Sequence, residues 1–156
     1  MTITIKLTQD SIDRLDLSPV QEQLEPILSN ETLTEYEQQF QFEFDYRQDP
    51  TDPRELSEIP EIRLWFLRLD TVYPWFIFFL DWRNGELARY TAMLVPHQFS
   101  RAEGIQFNPE ALEIFVMRKV FVLYDWLQVQ QISGYGRIIS FSQMLGYEVD
   151  ESFFNS

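Results

Sequence analysis

Polar and apolar positions alternate from Thr2 to Leu7, placing Ile3, Ile5 and Leu7 on one face with the period of a half-buried strand. Ser18-Pro19 then pairs a capping residue with a first-turn proline. Val20, Leu24, Ile27 and Leu28 follow at helical spacing, so a short amphipathic helix is expected over 19–28, its last turn disturbed by Pro26. Farther on, Phe40, Phe42, Phe44 and Tyr46 alternate with Gln41, Glu43 and Asp45, a strand with aromatic residues inward and acids outward. A turn-rich connector, Asp49 to Glu55, leads to a helical pattern that opens at Pro60. That pattern carries Ile62, Trp65, Phe66, Leu69 and Tyr73 at spacings of three and four and ends at Pro74.

The stretch from Tyr73 to Met117 organises the remainder. Phe76 to Leu80 is an uninterrupted apolar run, Asn84-Gly85 is a dipeptide that accepts positive φ at both centres of a tight turn, and Glu86 to Val95 resumes a largely apolar pattern. These features predict a β-hairpin. Glu86 to Leu94 also reads as a helix, because Glu, Leu, Ala, Arg and Met are good helix formers. After Pro96 comes a polar connector with His97, Arg101, Glu103 and Gly104, closed by Asn108-Pro109-Glu110, which supplies a cap, a first-turn proline and an acid.

From Pro109 the positions Leu112, Phe115, Val116, Lys119, Val120, Leu123, Trp126 and Leu127 keep one side mainly apolar over about five turns. This longest helix is expected to be the spine against which the sheet packs. Ser133-Gly134-Tyr135-Gly136 breaks the chain, and Ile138 to Leu145 forms a short helix ended by Gly146. The pattern predicts a single α+β domain over residues 1–156, an antiparallel sheet of about four strands packed against helices. A tail from Tyr147 to Ser156 is expected to be loosely held unless Phe153 and Phe154 dock on the core, the alternative being that they wait for a partner.

Composition narrows the chemistry. Twelve basic against twenty-five acidic side chains give a net charge of −13, a field that repels phosphate backbones and anionic lipid. No nucleic-acid partner and no membrane insertion are expected. The chain has no cysteine and one histidine, so thiolate ligation is excluded and a zinc site would depend on carboxylates; neither metal nor cofactor is expected. Fourteen Phe, seven Tyr and four Trp exceed what solubility requires, and some are expected at the surface, where aromatic side chains anchor interfaces. The N-terminus shows neither a basic-then-apolar signal nor an Arg- and Ser-rich transit pattern, which predicts a cytoplasmic protein.

Enzymatic motifs are missing. His97, Ser100 and Glu103 are the residue types of a hydrolytic triad, yet no Gly-x-Ser-x-Gly elbow or phosphate-binding glycine loop occurs. His97 reads either as a histidine satisfying a turn or helix end, or as a contact in a binding groove. Arg83, Arg89 and Arg101 read equally as members of internal ion pairs or as forks for a partner's acid.

The segments DPRELSEIPEIRLWFLRLD, from Asp52, and YPWFIFFLDWRNGELARYTAMLVPHQFSRAEGIQFNPEALEIFVM, from Tyr73, resemble the chlororespiratory reduction assembly-factor family, specifically its sixth-named member. The closing YEVD from Tyr147 extends the likeness to roughly residues 1–150. The resemblance implies a factor in biogenesis of the photosynthetic NAD(P)H dehydrogenase-like complex of cyanobacteria and chloroplasts. The implied partner is its NdhI-like iron–sulfur subunit or a partial hydrophilic arm, met in the cyanobacterial cytoplasm or, for chloroplast relatives, in the stroma. No family site residues carry over. From residue type and position alone, Trp82, Arg83, His97, Phe99 and Arg101 are the expected contacts, since they combine aromatic anchors with fork-shaped donors. Two other readings remain: a small hydrolase or isomerase using His97 and Glu103, and an acidic mimic occupying a basic nucleic-acid site.

Overall fold

In the computed structural model, which describes residues 2–28 and 33–150, strand β1 (Ile3–Thr8) buries Ile5 and Leu7 as its alternation requires. Helices α1 (Gln9–Asp13) and α2 (Ser18–Leu28) carry the chain to β2 (Phe40–Asp45), with Phe40 and Phe42 buried and Glu43 and Asp45 exposed. Helix α2 runs through Pro26, whose ring lies on its exposed side.

The strands pair in parallel, Ile5 opposite Phe42 and Leu7 opposite Phe44. The antiparallel sheet expected from the sequence is therefore corrected: a helical crossover returns the chain to the same end of the sheet, which makes the second strand run with the first. One further parallel bridge, Phe40 to Leu80, extends this sheet locally.

Helix α3 (Pro60–Val72) buries Ile62, Trp65, Phe66 and Leu69 of the predicted stripe, while Tyr73 caps its C-terminus. The Phe66 ring centroid lies 5.1 Å from that of Phe42, edge to face, joining helix to sheet.

The predicted hairpin between Phe76 and Val95 does not form. Phe76–Phe79 is a single 3-10 turn with all four side chains buried. A strand would turn alternate residues to opposite faces. The turn instead wedges the whole run between β2, with Phe40 5.9 Å from Phe79, and the Trp126 ring, 5.7 Å from Phe78. Glu86–Leu94 is helix α4, entered through Gly85 at φ 78°. Asn84 does not share the positive φ that the tight hairpin turn demands at both centres. Its backbone N–H and that of Arg83 donate to Asp81 Oδ1 at 3.2 and 3.0 Å, so Asp81 shapes the turn into the helix.

The real hairpin lies in the polar connector. Strands β3 (His97–Ser100) and β4 (Gly104–Phe107) pair antiparallel, Phe99 opposite Ile105. Gly104, at φ 76°, supplies the left-handed position a three-residue loop needs. The fold is thus α+β with two two-stranded sheets, one parallel and one antiparallel.

Helix α5 (Pro109–Val129) begins at Asn108, whose Oδ1 accepts the Ala111 N–H at 3.0 Å. It buries Val116, Lys119, Val120, Leu123 and Leu127, but it packs on the Phe76–Phe79 turn and on α6 (Tyr135–Met144) rather than serving as the spine of a sheet. Tyr147 and Val149 pack against the core, while Phe153 and Phe154 lie outside the described residues.

Candidate functional site

Four segments surround an open groove of about 550 Å³. Strand β2 contributes Phe42, Glu43 and Phe44, a second 3-10 turn (Leu56–Glu58) with its capping Glu55 contributes Glu55 to Ser57, and α4 with its capping Gly85 presents Gly85, Ala88, Arg89, Ala92 and Met93. The hairpin closes it with Phe99 and Ile105, 43% and 36% exposed. Gly85, Ala88 and Ala92 keep part of that wall low, and the surrounding aromatic and aliphatic groups make the groove mostly apolar.

The hairpin is held over this groove by His97. Its Nδ1 lies 3.0 Å from the Val95 carbonyl, an acceptor only, so this nitrogen carries the proton. In the neutral ring Nε2 then accepts the Ser57 hydroxyl at 2.9 Å. Side chains alternate along β3, so Phe99 shares the face of His97 that is clamped toward Ser57.

Glu86 and Arg89 tie the opposite wall to the sheet. Glu86 Oε2 accepts the Phe42 N–H at 3.1 Å and Oε1 lies 3.2 Å from Arg89 Nη1. Burial pushes the Glu86 carboxyl up, against the pull of Arg89 and of the Phe42 N–H. The Arg89 guanidinium sits 5.5 Å from the centroid of the Phe44 ring. Of the arginines read as either internal or partner-directed, Arg89 is internal.

The other expected contacts are dispersed. Trp82 is only 8% exposed, with Nε1 donating to the Ile77 carbonyl at 3.1 Å and its ring beside Phe141, so it is a core residue. Arg83 lies exposed on the turn before α4 and Arg101 on the hairpin turn; among the described residues neither side chain forms an ion pair. Only Phe99 of the five lines the groove.

Nor does the hairpin assemble the alternative catalytic set. Both His97 nitrogens are engaged by Val95 and Ser57, whereas Glu103 lies in the turn at the far end of the hairpin, its carboxylate accepting from Gln106. Ser100 Oγ accepts the backbone N–H groups of Ala102 and Glu103, both at 3.3 Å, and so caps that turn.

Sequence reasoning missed Ser57, Phe44 and Ile105. The signal for Ile105 was present in His97/Phe99 and Ile105/Phe107 alternating on either side of a glycine-terminated loop, a pattern only four residues long on each side.

Among the described residues no helix is long and apolar enough to cross a membrane, and no group of three His, Cys, Asp or Glu side chains is placed to hold a metal. No solved structure matches the chain. Among protein families, the one described as chlororespiratory reduction 6 (Crr6), linked to the chlororespiratory NDH complex, matches residues 7–156, and the chain belongs to that family.

Proposed function

We propose that this protein is a non-catalytic assembly factor for the hydrophilic arm of the photosynthetic NAD(P)H dehydrogenase-like complex, binding its NdhI-like iron–sulfur subunit during biogenesis. Its place of work would be the cyanobacterial cytoplasm, with the stroma for chloroplast relatives. The observation that carries the reading is the Phe99 and Ile105 pair, held partly exposed over an apolar groove by the His97 to Ser57 contact. Such a surface suits transient binding of another chain, because apolar contact supplies affinity while acidic surroundings keep the free factor soluble. Arg83 and Arg101, exposed nearby in sequence, are proposed as polar contacts. Trp82 and His97 contribute by maintaining the fold that presents them.

The test is recovery of partners by tagged protein from cyanobacterial extract, with mass spectrometry at low and moderate salt. The NdhI-like subunit, alone or in a partial arm, is expected with the wild type and lost with Phe99→Ala combined with Ile105→Ala. Recovery of unrelated proteins only would refute the partner assignment.

A further inference from the structure

The groove runs along an edge of β2 that is only partly paired among the described residues. Ile3 N–H donates to the Gln39 carbonyl at 2.7 Å, which sets the phase of the parallel ladder. With that phase Gln39, Gln41 and Glu43 direct their backbone groups at β1, and Phe40, Phe42 and Phe44 direct theirs at the opposite edge. There the Phe40 carbonyl accepts the Asp81 N–H and the Phe42 N–H donates to Glu86 Oε2. The Phe42 carbonyl and the N–H and carbonyl of Phe44 come next, with no hydrogen-bond partner among the described residues. Phe42 and Phe44 line the groove, so this edge borders an open apolar channel.

We propose that this edge accepts an extended segment of the client protein as an added strand, with alternate apolar side chains lying against the groove and Lys or Arg flanking them. The inference rests on the assembly-factor reading and names how the client is held. Extended geometry follows from the ladder groups left on β2, since a strand pairs them through its own backbone. Apolar alternation follows from the walls: every second side chain of an added strand points to one face, here toward Met93, Phe99 and Ile105. Basic flanks follow from charge. Glu43 and Glu55 are exposed on the rim, the cation in the groove is already paired with Glu86, and the chain carries −13 overall. A second copy of so acidic a chain is the poorer occupant.

The decisive experiment measures binding of the purified NdhI-like iron–sulfur subunit to the full-length protein, and then of overlapping synthetic peptides from its apolar, Lys- or Arg-flanked stretches. Ala88→Trp fills the channel from α4 and is expected to weaken binding at least tenfold with the thermal midpoint retained. Glu43→Lys with Glu55→Lys, both at exposed positions, is expected to do the same at low salt and less at high salt. The binding peptide, N-methylated at every second residue, should lose binding in one phase and keep it in the other, since only alternate N–H groups face β2. If the subunit binds but the folded variants and both methylation phases bind alike, strand addition is overturned while the assembly reading stands. If the subunit binds neither the wild type nor the variants, the partner assignment falls and this inference with it. If Ala88→Trp instead dissolves a dimer of the protein alone, a second copy occupies the edge and the client does not.

Discussion

The Ser57 hydroxyl lies 2.9 Å from Nε2 of His97, a residue forty positions farther along the chain. This bond connects the 3-10 turn before α3 to the base of the hairpin, while Nδ1 of the same ring holds the Val95 carbonyl. It is what makes a short two-stranded ribbon, marginal by itself, a fixed wall of the groove. Ser57→Ala is expected to cost about 1 kcal/mol of global stability. Amide exchange should accelerate selectively across residues 97–107. Unchanged exchange there would show that the hairpin is held by other contacts.

Glu86 acts as a substitute for a neighbouring strand by accepting the Phe42 N–H, and it does so from a buried position. Because burial raises its carboxyl above the ordinary value of 4.5, the folded chain binds more protons than the unfolded chain just above that pH. The associated stability is therefore present below pH 4.5 and lost as pH rises through the raised value. Glu86→Gln keeps an acceptor for Phe42 and does not titrate. The stability of this variant relative to wild type should improve as pH rises from roughly 4 to roughly 7, because only the wild type loses a proton-linked contribution over that range. Urea midpoints measured across that range check it, and a constant difference would refute it.

Beneath α5, Lys119 is 1% exposed and its ammonium pairs with Asp70, which also accepts the Tyr90 hydroxyl at 2.8 Å. Burial lowers the lysine's proton affinity and Asp70 opposes that shift. Lys119→Ala leaves a mostly buried carboxylate without its cation and should cost about 3–5 kcal/mol. Asp70→Leu combined with Lys119→Met removes both charges and is expected to cost less than Lys119→Ala alone. Chemical denaturation decides between this and simple additivity.

Gly134 precedes α6 where the chain doubles back on α5. A Cβ there would collide with the Leu127 side chain, which is buried. Gly134→Ala should therefore cost about 1–3 kcal/mol through overpacking. Combining it with Leu127→Ala should destabilise by less than the sum of the two changes. Strict additivity would place the strain elsewhere.

Elements whose signals lie within a few residues were legible in the chain. The alternation of Ile5 and Leu7, and of Phe40 and Phe42, specifies two strands with defined inward faces. Proline at Pro60 and the Asn108-Pro109 pair mark the starts of α3 and α5, and Gly146 takes the positive φ expected after a helix. Local sterics and capping determine such features, so no distant partner is needed.

What the tertiary structure decided depends on contacts between distant segments. Phe76 to Phe79 is apolar throughout, a pattern that suits any fully buried element, and only packing between β2 and Trp126 made it a turn. Glu86–Leu94 had two local readings, separated by Asp81 and Glu86 bonding to β2 more than forty residues earlier. The parallel pairing, the clamp of His97 on Ser57 and the packing of Trp82 against Phe141 share that origin. The groove exists only once those long-range contacts have formed, so its lining could not be read from spacing along the chain. Sequence period determines which side of an element is apolar; the free energy of mutual burial determines what that side meets.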